Sequence, residues 1–342
     1  MKTEVITLNA ERNVTLTAYV QESGGEFFFE KRPAMLVLPG GGYLYCSDRE
    51  ADPVAMAYLQ AGYQVFILRY TLTPKGKWPL PLEDYEAAME LICANAGHWY
   101  VDTDRIAAIG FSAGGHLCAC AATLSRHRPA AAVIVYPAIL KYLCDMCQPG
   151  MPYPHEHVTK QTSPCFLVAA RDDRVVKIQN TLVFAQALAE NDVPFETHIY
   201  AFGGHGFTTG ERWLNDVDLC SRVPDWVPGS IAWLKDVMGE LTVKGMTEQN
   251  PNVLINGDDK PWLSVSCSMR HIRMQPETVQ EILQPVYAAA QENAARREMN
   301  LSALFSALGE LTLSEFMHVN GMSREEISKV NHALRRIANS RA

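Results

Sequence analysis

Short apolar runs alternate with amphipathic stretches along the first 240 residues. The opening runs, Val5–Leu8 and Thr15–Val20, predict a hairpin. Later runs are nearly continuous in apolar character, which is typical of strands covered on both faces of a sheet. They predict six further strands, at Ala34–Leu38, Gln64–Leu68, Ile106–Phe111, Ala132–Val135, Cys165–Ala170 and Thr197–Tyr200.

The stretches between these runs predict helices, at Ala51–Ala61, Leu82–Ala94, Ala113–Leu124, Ile178–Glu190 and Arg212–Val237. Strands that alternate with helices indicate a mostly parallel sheet with helices on its faces. The sequence therefore predicts an α/β protein with a doubly wound, mostly parallel, eight-stranded sheet over residues 1–240.

The pattern changes after residue 240. Residues 241–262 are polar and rich in Asn, Gly, Asp and Pro, and they predict a linker. Beyond it, residues 263–342 predict a smaller helical domain of unknown role. Its first apolar face has helical spacing, with Pro285 expected to bend the helix, and consists of Val279, Ile282, Leu283, Val286 and Tyr287.

Two later helices of this domain begin with capping boxes, Thr312 with Glu315 and Ser323 with Glu326. The last helix carries an apolar stripe formed by Ile327, Val330, Leu334 and Ile337. Such a stripe favours packing into the domain's own core. A surface for self-association, and hence a homo-oligomer, is the alternative that the pattern leaves open.

Charge and composition narrow the function classes. The net charge is −8, and residues 241–342 carry 11 basic and 11 acidic side chains, so the excess of acid lies in residues 1–240. This balance argues against a nucleic-acid partner, whose binding surface is basic.

The sequence also bears on location. The N-terminus lacks the apolar core of a signal peptide, and the longest apolar run, Ala130–Leu140, is too short to cross a membrane. The nine cysteines lie mostly in apolar stretches, as in proteins of a reducing compartment. We therefore expect a cytoplasmic protein without a membrane partner.

Gly110-Phe111-Ser112-Ala113-Gly114 matches the pattern G-x-S-x-G between a predicted strand and a predicted helix. In a nucleophile elbow the serine occupies a strained turn, and side chains at the glycine positions would collide with neighbouring elements. The helix N-terminus also favours negative charge near Ser112. The motif predicts Ser112 as a nucleophile.

A serine nucleophile needs a base, and the base needs an acid that fixes its tautomer. With this elbow the acid and then the histidine follow the serine along the chain. Asp172 and Asp173 follow one predicted strand, and His205, flanked by glycines, follows the next. The spacing predicts His205 as the base and leaves both aspartates as candidates for the acid.

The other polar motifs favour structural roles. His116 is expected to pack or cap on its helix, and His198 lies within a strand. His155 and His157 form an H-x-H pair without a third ligand nearby, so we expect no metal. Cys144-x-x-Cys147 has no second pair at zinc spacing.

Pro39-Gly40-Gly41-Gly42-Tyr43 follows the third predicted strand. Three glycines let the backbone approach a substrate carbonyl, so Gly41, Gly42 and Ala113 are the expected oxyanion-hole donors. A phosphate-binding loop is excluded, because no Lys-Ser/Thr follows and the G-x-G-x-x-G spacing is absent.

The glycine loop at Pro39–Tyr43, the serine motif around Ser112 and the glycine-flanked His205 together resemble the bacterial acetyl esterase and acetyl-xylan esterase branch of the α/β-hydrolases. Gly115-His116 and Arg69-Tyr70-Thr71-Leu72 fit the same branch, which is related to the hormone-sensitive-lipase-like carboxylesterases. The resemblance covers about residues 30–237. Its D-x-x-V pattern, Asp173 to Val176, selects Asp173 over Asp172 as the acid. Pro39 stands where the lipase-like H-G-G-G motif has histidine, which favours the acetyl-esterase branch.

The resemblance implies a cofactor-independent serine esterase that acts on small, acetyl esters, including acetylated sugars. Tyr43 and the 141–157 loop, through Tyr142, Met151, Tyr153 and His155, are expected to shape the substrate pocket. Two alternatives stay open. A prolyl-oligopeptidase-like peptidase shares the order of the three residues but usually has an N-terminal propeller, of which this sequence shows no sign. A catalytically idle binding scaffold is the other.

Overall fold

The computed structural model describes residues 1–250, 253, 257–258, 260–298, 300–309 and 311–339, without the side chain of residue 307. The chain forms two compact units, Met1–Asn250 and Pro251–Ala342. Residues 251–252, 254–256 and 259 of the predicted linker lie outside the described residues, as do the last three of the predicted helical domain. The exact domain boundaries stay a prediction.

The first unit contains the eight-stranded sheet that the sequence predicts. Its strands are β1 (Lys2–Asn9), β2 (Val14–Val20), β3 (Arg32–Leu38), β4 (Gln64–Arg69), β5 (Val101–Phe111), β6 (Ala132–Val135), β7 (Cys165–Ala170) and β8 (Phe195–Tyr200). They are arranged in the order β1-β2-β4-β3-β5-β6-β7-β8. Only β2 runs antiparallel to its neighbours, β1 and β4, and the other described pairs are parallel.

Helices cover this sheet because its central strands are apolar on both faces. Every residue of β3, β6 and β7 is buried. The helices are α1 (Asp52–Gln60), α2 (Leu80–Ala94), α3 (Ser112–Leu124), α4 (Lys141–Cys147), α5 (Gln179–Glu190) and α6 (Trp226–Met238). A two-stranded hairpin, β9 (Leu241–Thr242) and β10 (Gly245–Met246), follows α6.

The helix predicted over Arg212–Val237 is wrong in its first half. Only short 3₁₀ turns form at Arg212–Leu214 and Val223–Asp225, and α6 begins at Trp226. The Asn215 side chain donates to the Phe207 and Glu211 carbonyls and thereby favours a loop, and Pro224 has no amide hydrogen to donate.

The second unit is helical, as the sequence predicts. Its helices are α7 (Met269–Arg273), α8 (Glu277–Ile282), α9 (Gln284–Arg296), α10 (Leu301–Leu308), α11 (Leu313–Val319) and α12 (Arg324–Leu334). Both predicted capping boxes form. At Pro285 the predicted bend is a complete break, because α8 ends at Ile282 and Pro285 lies in the first turn of α9.

The stripe on α12 belongs to the core of this unit. Val330 and Leu334 are buried in it, and Ile327 and Ile337 pack against it. Among the described residues, no helix is both long enough and apolar enough to cross a membrane.

Candidate active site

Ser112 lies at the junction of β5 and α3, with φ of 53°. A residue other than glycine in this left-handed region carries strain of about 1–3 kcal/mol. A Cβ at Gly110 would lie 2.1 Å from the Gly114 carbonyl oxygen, and one at Gly114 would lie 2.1 Å from that of Leu38. Glycine at both positions is therefore what lets the turn form.

Ser112, His205 and Asp173 form one chain of hydrogen bonds. Ser112 Oγ lies 2.9 Å from His205 Nε2, and His205 Nδ1 lies 2.7 Å from Asp173 Oδ2. Because a carboxylate only accepts, Nδ1 carries the hydrogen and Nε2 is free to accept from the serine hydroxyl. This tautomer is the one that a general base requires.

Asp173 is fixed by its own loop. Its Oδ1 accepts from the amides of Val175 and Val176 at 2.9 and 2.8 Å, and its side chain is only 1% exposed. These amides stabilise the ionised carboxylate and hold Oδ2 toward the imidazole.

Asp172 has a different set of partners. Its Oδ1 accepts from the amides of Gly203 and Gly204 at 3.0 and 3.1 Å. Asp172 therefore holds the loop that carries His205. Of the two aspartates, only Asp173 forms a hydrogen bond with the imidazole.

The predicted oxyanion donors lie beside Ser112. Gly41, Gly42 and Ala113 line the same cavity as Ser112 and His205. The amides of Gly41 and Gly42 donate to no other described residue, and Ala113 lies in the first turn of α3, where amides lack helical partners.

The cavity has a volume of about 340 Å³. Its apolar lining residues include Ala138, Leu143, Met146, Cys147, Val175 and Val176. Its polar lining residues include Tyr45, Ser47, Arg49 and Glu50, and Gly206 also lines it.

None of the five residues predicted to shape the pocket lines this cavity, and two of them, Tyr43 and Met151, are buried. Tyr43, the last residue of the glycine loop Pro39–Tyr43, is buried and donates to His116 Nδ1 at 2.8 Å. Met151 is also buried.

The other three, like Met151, belong to the 141–157 segment, which was predicted as a loop but begins with helix α4. Tyr142 accepts from Asn180 Nδ2, and Tyr153 donates to Asp145 and stacks on His155. This segment contributes to the cavity instead through Leu143, Met146 and Cys147 of α4.

Sequence reasoning missed Glu50, Arg49 and Tyr136. Burial raises the pKa of the Glu50 carboxyl, and hydrogen bonds from Tyr136 and Gly40 oppose that shift. Arg49 donates to the Leu214 carbonyl. No spacing in the polar segment 47–50 marks these two residues. Tyr136 directly follows β6, and the carboxyl end of a parallel strand is the signal that could have identified it.

His116 is fully buried, in keeping with its expected structural role. Its Nε2 lies 2.9 Å from the Pro152 carbonyl oxygen and donates to it, while Nδ1 accepts from Tyr43. Burial lowers the pKa of His116 from 6.5 to about 4, so the ring is neutral near pH 7. Among the described residues, no three His, Cys, Asp or Glu side chains form a group that could hold a metal ion.

Two family models match the first unit. The model described as BD-FAE matches residues 28–134, and the dienelactone hydrolase family model matches residues 82–220. The chain is also 31% identical over 211 residues to endo-1,4-beta-xylanase B of Butyrivibrio fibrisolvens, in an alignment that covers 52% of this chain and 33% of the relative.

An acetylxylan esterase of Xylanibacter ruminicola is 27% identical over 216 residues, which cover 57% of this chain and 45% of the relative. The chain thus spans less than half the length of each of these two curated relatives.

Among solved structures, the α/β-hydrolase enzyme MGS-M1, from a Medee basin deep-sea metagenome library, superposes with a TM-score of 0.65 and 38% identity. The match covers 70% of this chain and 98% of that one. Nearly the whole of MGS-M1 is therefore represented in this chain, which belongs to the α/β-hydrolase family.

Proposed function

We propose that this protein is a serine esterase that hydrolyses small carboxylic esters. The observation that carries the proposal is the hydrogen-bonded chain from Ser112 through His205 to Asp173, which opens into a cavity with unpaired amides beside the serine. Ser112 is the proposed nucleophile, His205 the general base and acid, and Asp173 the group that orients the imidazole.

The reaction has two halves. Ser112 Oγ attacks the ester carbonyl while His205 Nε2 takes the hydroxyl proton, and the amides of Gly41, Gly42 and Ala113 stabilise the oxyanion. His205 then gives the proton to the leaving alcohol, and the acyl group stays on Ser112. Water, deprotonated by His205, releases the acid and restores the serine. Each proton transfer uses His205, so the proposal requires no cofactor.

A short acyl group, acetyl above all, is the proposed acid part of the substrate. The cavity is small, and Ala138, Leu143 and Val176 form an apolar cluster on its wall that suits a methyl group. An acetylated sugar is the proposed alcohol part, supported by the name acetylxylan esterase of one relative.

The nucleophile is tested by hydrolysis of p-nitrophenyl acetate. Ser112→Ala is expected to lower kcat by about 10⁴-fold or more, because no other group supplies the attacking oxygen. Ser221→Ala, which removes an exposed hydroxyl of the same unit, is the control and is expected to keep wild-type kcat. Full activity of Ser112→Ala would contradict the proposal.

The substrate class is tested separately. Matched p-nitrophenyl esters of increasing acyl length, acetylated oligosaccharides and a peptidyl p-nitroanilide are compared by kcat/KM. The proposal predicts the highest value for acetyl esters. A preference for the anilide would support the peptidase alternative.

A further inference from the structure

Glu50 is a buried carboxylate on the wall of the catalytic cavity. Its side chain lies at the end of the short 3₁₀ helix Asp48–Glu50, between the glycine loop and α1, and it is 4% exposed. Removing a carboxylate from water is costly unless hydrogen bonds compensate it. The partners of Glu50 therefore indicate what the buried charge does.

Each oxygen of Glu50 accepts from a different functional loop. Oε2 accepts from the Gly40 amide at 2.7 Å, in the glycine loop that carries the proposed oxyanion donors. Oε1 accepts from the Tyr136 hydroxyl at 2.8 Å. Because both oxygens accept, the ionised carboxylate satisfies both donors, whereas an amide at this position could satisfy only one.

Tyr136 extends this contact to the histidine loop. Its hydroxyl accepts from the Thr208 amide at 3.1 Å, three residues after His205. Its ring packs edge-on against the His205 imidazole, with ring centroids 5.0 Å apart. Tyr136 also has φ of 37°, a strained conformation that such contacts hold in place.

We propose that Glu50 is a positioning residue that fixes the oxyanion loop and the His205 ring relative to Ser112, through Gly40 and Tyr136. Its two hydrogen bonds go to Gly40 and Tyr136 rather than to Ser112 or His205. Its negative charge also favours the imidazolium that His205 becomes during each half-reaction. This inference rests on the proposed function and adds a residue to it.

Glu50→Gln tests the inference with minimal change in volume. One of the two donors, Gly40 N–H or Tyr136 O–H, then faces the glutamine NH₂ group. We expect kcat for p-nitrophenyl acetate to fall about 100-fold, the scale of a small misplacement of catalytic groups, with KM nearly unchanged. Glu190→Gln, an exposed glutamate at the end of α5, is the matched control and is expected to keep wild-type kcat.

Tyr136→Phe supplies a second, independent variant. With the hydroxyl gone, a glutamine at position 50 can accept from Gly40 and turn its NH₂ group away from any donor. The double variant Glu50→Gln/Tyr136→Phe is therefore expected to lose far less activity than the product of the two single losses.

The pH at which kcat/KM falls on the acid side of its pH profile distinguishes this role from a purely structural one, which would leave that pH unchanged. Loss of the Glu50 charge is expected to lower this pH, because the imidazolium loses a stabilising neighbour. Asp172, Asp173, Tyr136 and Arg49, which are ionisable groups on the elements packed around His205, are unchanged in Glu50→Gln.

Three results would overturn the inference: wild-type kcat in Glu50→Gln, losses that multiply in the double variant, or a kcat loss with no shift on the acid side of the pH profile. Each is distinguishable from failure of the proposed function, which Ser112→Ala tests. If Ser112→Ala is inactive while Glu50→Gln is fully active, only the role of Glu50 is wrong.

Discussion

Asp172 and Asp173 are adjacent carboxylates with separate hydrogen-bond partners. Asp173 accepts from the imidazole, and Asp172 accepts from two amides of the loop that carries it. This difference in partners predicts different kinetic consequences for the same chemical substitution at the two positions.

Asp173→Asn is expected to lower kcat for p-nitrophenyl acetate by about 10⁴-fold, because the amide no longer selects the required imidazole tautomer. Asp172→Asn is expected to lower kcat less than about tenfold, because its amide oxygen still accepts from both glycines. Steady-state kinetics of both variants checks this. A larger loss at Asp172 than at Asp173 would show that the acid is wrongly assigned.

At the residue scale, motif spacing predicted Ser112 and His205, and the family resemblance selected Asp173 over Asp172 as the third residue. Ser112, Asp173 and His205 were expected to meet, and the structure brings them within hydrogen-bond distance, while their catalytic role stays a prediction. Glu50 and Tyr136 were missed because their importance depends on which loops meet in space.

At the scale of elements, His116 joins α3 to two loops. It accepts from Tyr43 of the glycine loop and donates to Pro152 of the 141–157 segment, and no charged form satisfies both contacts without rearrangement. Burial lowers the pKa of His116 to about 4. Protonation of the ring at acid pH would therefore disrupt its hydrogen bonds to Tyr43 and Pro152.

Between pH 6.5 and about pH 4, the unfolded chain binds a proton at His116 that the folded chain does not. The free energy of unfolding therefore falls as pH falls through this window, by up to about 3 kcal/mol. Urea unfolding near pH 7 and pH 5 measures the effect. His116→Gln is expected to show a smaller decrease than wild type, and exposed His98→Gln the same decrease. Equal decreases in wild type and His116→Gln would refute the role of His116.

Strands were predicted more securely than helix boundaries, for a physical reason. The buried strands β3, β6 and β7 are nearly continuous apolar runs of 7, 4 and 6 residues, lengths that are typical of buried strands and too short for most helices. Residues 212–225 contain enough apolar side chains to imitate a helix, yet Asn215 and Pro224 direct the chain into loops and turns. The low helix propensity of these two residues is therefore the reason that the predicted helix does not form over residues 212–225.

At the scale of the whole molecule, each compact unit has its own hydrophobic core. Phe316 is fully buried in the helical unit and stacks on Phe305 with centroids 5.3 Å apart. The described residues that line the catalytic cavity all belong to the first unit. A substitution that destabilises the core of the helical unit is therefore expected to leave catalysis by the first unit unchanged.

Phe316→Ala is expected to cost the helical unit about 3–5 kcal/mol and to leave kcat/KM for p-nitrophenyl acetate unchanged at 25 °C. Phe166→Ala, which removes an equally buried ring from β7, is the matched substitution in the first unit and is expected to lower the stability of that unit. Thermal unfolding by circular dichroism and steady-state kinetics check both. A large activity loss in Phe316→Ala would show that catalysis depends on the helical unit.

We propose that Ser112 carries the acyl group during turnover, and trapping of the acyl-enzyme is the most direct test of this role. Wild-type protein is mixed with excess p-nitrophenyl acetate, quenched in acid within the first turnover, digested and analysed by mass spectrometry. This role of Ser112 predicts an acetyl group on its side chain that disappears as turnover completes. Acetylation of a different residue at the rate of turnover, with Ser112 unmodified, would contradict it.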